Sequence, residues 1–374
     1  MAETALPNVV PATAKVPLLV AISPVLGEVA TWADYILPDS TYLEKFATPG
    51  IPWRVNKGTA FQRPVVGAFD GMAIGSSAGI GNAIPDVANN DYTPALPDTK
   101  AAADIHIGLA KALGLPGVGA NAIGGVRNLD NAWDWAKAML DNIAFNASSK
   151  YGGLNRDEIL SKGGVFDNPG EEYAGDKLAY QYANIIRLFA DPVARTRDSV
   201  TGKYYSGVPQ YVPIAHSDGT AVNDGTSFPM KLITFKVVQH GQGRTNVNPW
   251  LMLMSPENYV EISAADGSRL GVQTGDPVRV TSVSNTAGIV GKAKVIQGLK
   301  PGVVAISHHF GHWEQSSRAH TVDGVQTGFE PSRAAGIHPG TVMRRDKRST
   351  NVPLQDPIGA SCAFYDTSVQ ITKA

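Results

Sequence analysis

Three segments decide the fold: LITFKVVQHGQGRTNVNPWL (residues 232–251), SPENYVEISAADGSRLGVQTGDPVRVTS (255–282) and VGKAKVIQGLKPGVVAISHHFGHW (290–313). Each holds short β-branched runs broken by Gly, Pro and Asp. Thr274-Gly275-Asp276 precedes the alternation of Val278 and Val280, and Lys300-Pro301-Gly302 precedes Val303 to Ile306. Such punctuation separates short strands. The pattern predicts one small β-barrel within 231–374, with the unusual residues on its loops and a terminal strand from Cys362 to Ile371.

Upstream the character changes. Residues 1–60 hold an apolar strand, Val16 to Ser23, a turn through Pro24 and Gly27, and the extended segment Ala33 to Pro38. That order fits the edge of an α/β layer. Its other strands are missing, so this α/β remnant predicts that the chain is the downstream portion of a larger protein, or one half of a split one. Residues 61–190 read as a Gly- and Pro-rich loop followed by helices. Helices are expected over Lys100 to Leu113, after a cap at Asp130, from an Asn155/Glu158 capping box, and through Leu178 to Leu188. Residues 191–230 turn to Pro, Gly, Ser, Thr and Tyr, the composition of a linker into the barrel domain at 231–374.

Composition excludes several functions. Of 374 residues, 43% are hydrophobic and 17% charged, and 32 Lys and Arg face 33 Asp and Glu. This balance carries no electrostatic footprint for nucleic acid or an anionic membrane. No apolar run approaches the roughly 18 residues needed to cross a bilayer, and Met1-Ala-Glu-Thr lacks the basic start of a secretory signal. Neither an anchor nor export is therefore expected from this chain itself. Cys362 is the single cysteine, which excludes an iron–sulfur cluster or a Cys-rich zinc site made by these residues alone; a small buried hydrophobe is its expected role.

The loops hold the candidate ligand-binding groups. Lys236, His240 and Arg244 recur at helical spacing, but Gly241 and Gly243 between them argue for a loop in which backbone N–H groups approach a ligand and Arg244 forks onto a phosphate or carbonyl. A solvated basic loop is the alternative. His308, His309 and His312 invite a zinc site, yet no Cys or Glu-x-x-His completes a tetrahedral set, so hydrogen bonding to a ligand is the better reading. His312 and Trp313 fit ordinary packing equally well. Gly117 to Ala122 echoes a nucleotide fingerprint but follows a helix end, which argues against a nicotinamide site.

Several stretches carry a family resemblance: ADYILPDSTYLEK (33–45), AKALGLPGVGANAI (110–123), GHWEQSSRAHTVDG (311–324), RAAGIHPG (333–340) and LQDPIGASCAFYDTSVQITKA (354–374). They resemble the large subunits of molybdopterin oxidoreductases of the dimethyl-sulfoxide-reductase superfamily, tetrathionate reductases above all. The resemblance implies a six-stranded double-psi-type barrel that closes over molybdenum held by two molybdopterin guanine dinucleotides. It further implies reduction of tetrathionate to thiosulfate, with arsenate, thiosulfate or polysulfide as alternative substrates; a non-catalytic cofactor-binding or assembly module is the reading of a different class for the chain on its own. A 4Fe–4S cluster is expected only in the missing N-terminal part. The implied partners are a small oxyanion substrate, a membrane anchor and an iron–sulfur subunit, on the periplasmic side of the cytoplasmic membrane.

Carried over by position, the implied cofactor contacts are Ser23, Lys45 and Asp104; then Lys236, His240, Gly241, Gln242, Arg244 and Thr245; then His308, His309, Phe310 and Tyr365. Many relatives have Asp where Ser23 stands. Tetrathionate-reductase-like chains usually show Asn near Gly340, Gly at Ala360 and Arg at Ser368. Arg318, Arg333, Arg344 and Arg345 are possible sources of attraction for an anionic substrate; a solvated tail is the alternative for each.

Overall fold

The computed structural model describes residues 17–45, 58–62, 68–69, 72–73, 92–93, 98–151, 164–167 and 190–374. The Asn155/Glu158 capping box and the helix through Leu178 to Leu188 lie outside the described residues. The chain divides into two compact units, one with Val20–Val25 and Ala33–Ile186, the other with Leu26–Trp32 and Arg187–Ala374.

In the first unit β1 (Val20–Ser23) pairs in parallel with β2 (Tyr35–Pro38). Asp39, just past β2, accepts from the Ala102 backbone N–H at 2.8 Å at the start of helix α1 (Ala102–Ala112). The hairpin β3 (Gly119–Ile123) and β4 (Arg127–Leu129) leads to α2 (Ala132–Tyr151). The expected cap of α2 is displaced by one residue: Asn131 Oδ1 accepts from the Asp134 N–H at 2.9 Å, while Asp130 accepts from Lys111 Nζ at 2.6 Å. A cap is the residue whose oxygen reaches the third helical N–H, and Asn131 stands in that position. Asn131→Ala should therefore lower the stability of this unit by ~1 kcal/mol, read from its thermal midpoint, and Asp130→Ala by less.

The second unit is the barrel. Its strands are β5 (Met230–Phe235), β6 (Val260–Ser263), β7 (Pro277–Ser282), β8 (Asn285–Ile296), β9 (Val303–Ser307) and β10 (Thr367–Lys373). They close in the order β5-β9-β6-β8-β7-β10. The β5/β9 and β6/β8 pairs are parallel and the other four antiparallel. Alternate residues face inward: Met230 and Leu232 on β5, Val278 and Val280 on β7, Val369 and Ile371 on β10. This is the period of two that a strand with one buried face must show. Closure leaves no edge strand among the six.

The terminal strand begins at Thr367, later than expected. Cys362 lies outside it in a turn bridged to Gln355, half-buried, with its thiol pushed up by burial. The stretch read as a linker is stitched to the barrel's own tail: Asp224 bonds Arg344 Nε at 2.8 Å, Asp346 accepts from the Ser217 N–H at 2.6 Å, and Tyr205 donates to the Pro357 carbonyl at 2.9 Å. Among the described residues no helix is long and apolar enough to cross a membrane.

Candidate cofactor-binding site

Because β5 and β9 run parallel, with Phe235 opposite Ser307, both strands leave the barrel at one end. The loop from Lys236 to Gly241 and the loop from His308 to Trp313 therefore emerge side by side. The His308 N–H donates to the Phe235 carbonyl at 3.3 Å where they part. Asn258 holds this end together: its Nδ2 donates to the Ser307 and Ile337 carbonyls at 2.6 and 2.9 Å, and its Oδ1 accepts from the Ile337 N–H at 2.8 Å.

The first loop is held from within. His240 Nε2–H donates to the Ser255 carbonyl at 2.9 Å, so Nδ1 of the neutral ring accepts from the Thr245 hydroxyl at 2.9 Å; Thr245 Oγ1 in turn accepts from the Gly241 N–H at 3.0 Å. His240 and Thr245 thus shape the loop, and Phe310, fully buried and edge-on to His240 at 4.9 Å, anchors it below. Lys236 and Arg244 remain exposed, and neither forms an ion pair with another described residue. Gln242, at a positive φ of 56°, accepts at Oε1 from His308 Nε2–H at 2.9 Å.

The second loop is short of partners. His308 and His309 stack at 4.5 Å. His309 is fully buried, and neither of its ring nitrogens has a hydrogen-bond partner. Burial, then the nearby His308, His240 and Lys236, hold the His309 imidazole down at about 4, with the His240 backbone pulling weakly the other way. Burial and Lys236 lower His308 as well. Nine buried side-chain polar atoms among the described residues lack a partner. Eight of them belong to Asn246, Ser307, His308, His309, His312 and Gln315. A buried unsatisfied polar atom costs ~1–3 kcal/mol, so such a concentration is a place where a polar ligand or ordered water would find partners. No group of three His, Cys, Asp or Glu among the described residues is arranged to hold a metal ion.

Residues 230–341 match the molydopterin dinucleotide binding domain family. The A subunit of selenate reductase from Mesobacillus selenatarsenatis is 31% identical to the chain, over 96% of the chain and 37% of that protein. The A subunit of tetrathionate reductase from Salmonella typhimurium is 28% identical, over 87% of the chain and 33% of that protein. The chain belongs to the molybdopterin oxidoreductases. It spans roughly a third of the length of these curated relatives. Acetylene hydratase from Pelobacter acetylenicus has the same fold, with a TM-score of 0.58 at 15% identity over 96% of the chain and 40% of that protein.

The residues of this molybdopterin oxidoreductase chain fit a dinucleotide. Free cations at Lys236 and Arg244, the Gly241 turn and the orphaned ring and amide atoms supply donors and acceptors of the kinds that phosphates and a pterin need. Three of the remaining positions carried over from the sequence have partners of their own. Ser23 Oγ donates to the Val25 carbonyl at 2.6 Å, Lys45 pairs with Asp39 at 2.7 Å, and Asp104 accepts from the Ala132 N–H at 2.7 Å, each within the first unit. Burial pushes the Asp104 carboxyl up. Tyr365 is exposed ahead of β10. Arg344 is held by Asp224 and Arg318 lies 4.0 Å from Glu314, so neither is a free anion trap. Asn246, Gln315 and Glu28 escaped sequence reasoning, since a polar residue inside a turn carries no motif.

Proposed function

We propose that this chain supplies the closing, cofactor-binding module of a molybdenum oxidoreductase with two molybdopterin guanine dinucleotides, and that the assembled enzyme reduces a small oxyanion. The orphaned polar atoms at the shared end of β5 and β9 carry this reading. Arg244 and Lys236 would take phosphate oxygens, with Arg244 able to fork onto two. His308, His309, Asn246 and Gln315 would face the ring edges of the nucleotide or pterin. The barrel residues bind, orient and exclude water. When bound, the group supplies two-electron chemistry, which for tetrathionate breaks the central S–S bond and gives two thiosulfates.

Tetrathionate is the first substrate reading, from the motifs of the tail. Selenate is the second, favoured by the 31% match over nearly the whole chain. An iron–sulfur electron donor and a membrane anchor on the periplasmic side complete the proposed assembly. Coexpression with the rest of a large subunit should yield a complex with molybdenum and about two guanine nucleotides per metal, measured by elemental analysis and nucleotide release. Arg244→Ala should lower nucleotide retention roughly 10- to 100-fold, the loss of a charged hydrogen bond worth ~1.5–3 kcal/mol. Arg279, exposed on β7 and bonded to the Ala287 carbonyl, is the control. Equal losses from Arg279→Ala and Arg244→Ala would remove the case for the Gly241 loop.

A further inference from the structure

Glu28 lies in a segment that joins the barrel unit, and it meets the second loop there. Its Oε1 bonds His312 Nδ1 at 2.9 Å and accepts from the Trp313 N–H at 3.3 Å. Burial raises this carboxyl, but the bond and charge of His312 and the backbone N–H groups outweigh it and hold Glu28 at about 2. The carboxylate is therefore ionised at neutral pH and can only accept. The bond to a carboxylate requires a proton on His312 Nδ1 whether the ring is neutral or charged, which leaves Nε2 as the ring nitrogen open to a ligand.

That atom is buried and has no partner. It sits against Gly243, where an added Cβ would lie 2.7 Å away, so the absence of a side chain at 243 is what lets the ring in. Gln315 grips the same glycine, donating from Nε2 to the Gly243 carbonyl at 3.0 Å, and its Oε1 is likewise orphaned. Two unpartnered polar atoms from the second loop and the turn after it thus flank the Gly-rich turn of the first.

We propose that Glu28 is a positioning residue for ligand binding: by holding the Nδ1–H of His312 it fixes the ring so that Nε2 is the atom presented to a polar group of the bound dinucleotide. The proposal rests on the cofactor reading above and adds to it a residue from outside the family-matched segment. A carboxylate behind a histidine sets its tautomer and orientation; behind a metal-ligating histidine its removal costs ~10- to 100-fold in affinity, and the lower end of that range is the scale expected for Glu28.

The test uses the full chain labelled with ¹⁵N-histidine, and the coexpressed assembly. In the chain, the His312 signals should report a protonated Nδ1. Glu28→Gln should keep that signature, because the amide oxygen also accepts. Glu28→Ala, or Glu28→Leu should the smaller side chain not fold, should abolish it. In the assembly, guanine nucleotide retention should fall roughly tenfold for Glu28→Ala and for His312→Ala, with no further loss in the double variant, and should hold within about twofold for Glu28→Gln. Full retention by Glu28→Ala, or lost retention with an unchanged His312 signature, overturns the positioning role. A wild-type assembly that binds no guanine nucleotide overturns the cofactor reading, whereas loss of the positioning role alone shows as wild-type binding that Glu28→Ala leaves intact.

Discussion

Gly311→Ala should cost the barrel about 4 kcal/mol, from ~1–2 for a left-handed backbone and ~1–3 for overlap in a packed site. Gly311 has a φ of 81°, and a Cβ there would lie 2.2 Å from the His338 nitrogen and 2.3 Å from the Ile337 carbonyl carbon. Both are backbone atoms, so no side-chain rotation relieves the contact. The Ile337 backbone is also pinned by Asn258, which removes the easiest route of escape. Gly302→Ala is the matched control, with a φ of 82° but open space around its Cβ position, and should cost only ~1–2 kcal/mol. Urea unfolding of the two variants decides the point. Similar midpoints would mean that the second loop is free to shift, and would weaken the case for a preformed site.

His309→Phe should stabilise the ligand-free chain while losing the cofactor. The wild-type ring is buried with both nitrogens orphaned, so an apolar ring of similar size removes ~1–3 kcal/mol of unmet hydrogen bonding. The acid dependence gives an independent check. His309 is held down at about 4 in the folded chain, against an ordinary value of 6.5. Between these values the unfolded chain binds more protons, so stability falls as pH drops through that window, by ~3 kcal/mol at most for this one group. His309→Phe should flatten that limb. Glu28 is a carboxyl depressed from 4.5 to about 2, and its contribution is lost only as pH falls below about 4.5. Denaturant midpoints at pH 7, 5.5 and 4.5 separate the two. An unchanged slope in the variant would mean that the ring is solvated and not buried as described.

Most of the fold was legible because barrel strands announce themselves locally. Val278 and Val280, Met230 and Leu232, and the turns at Gly275 and Gly302 are patterns of period two broken by residues that accept a positive φ. The two candidate loops were found for a similar reason, since paired glycines beside Lys, His and Arg are visible in a line of text. Errors fell where neighbours in space decide. Asp130 and Asn131 are equivalent caps by type, and only the hydrogen bonds choose between them. His240 and Thr245 carried the same chemical promise as His309, yet they satisfy each other while His309 has no one.

The order of residues by itself determined the β-barrel, its turn positions, and which loops hold cations, histidines and glycines, because backbone propensity and side-chain period act over a few residues. Tertiary structure alone decided that the parallel pairing of β5 with β9 delivers both loops to one end, and that Glu28 reaches His312 across 284 positions of sequence. It also decided which polar atoms remain without partners. Satisfaction of a buried hydrogen-bonding group depends on every neighbour that folding brings near, and no local pattern contains that information.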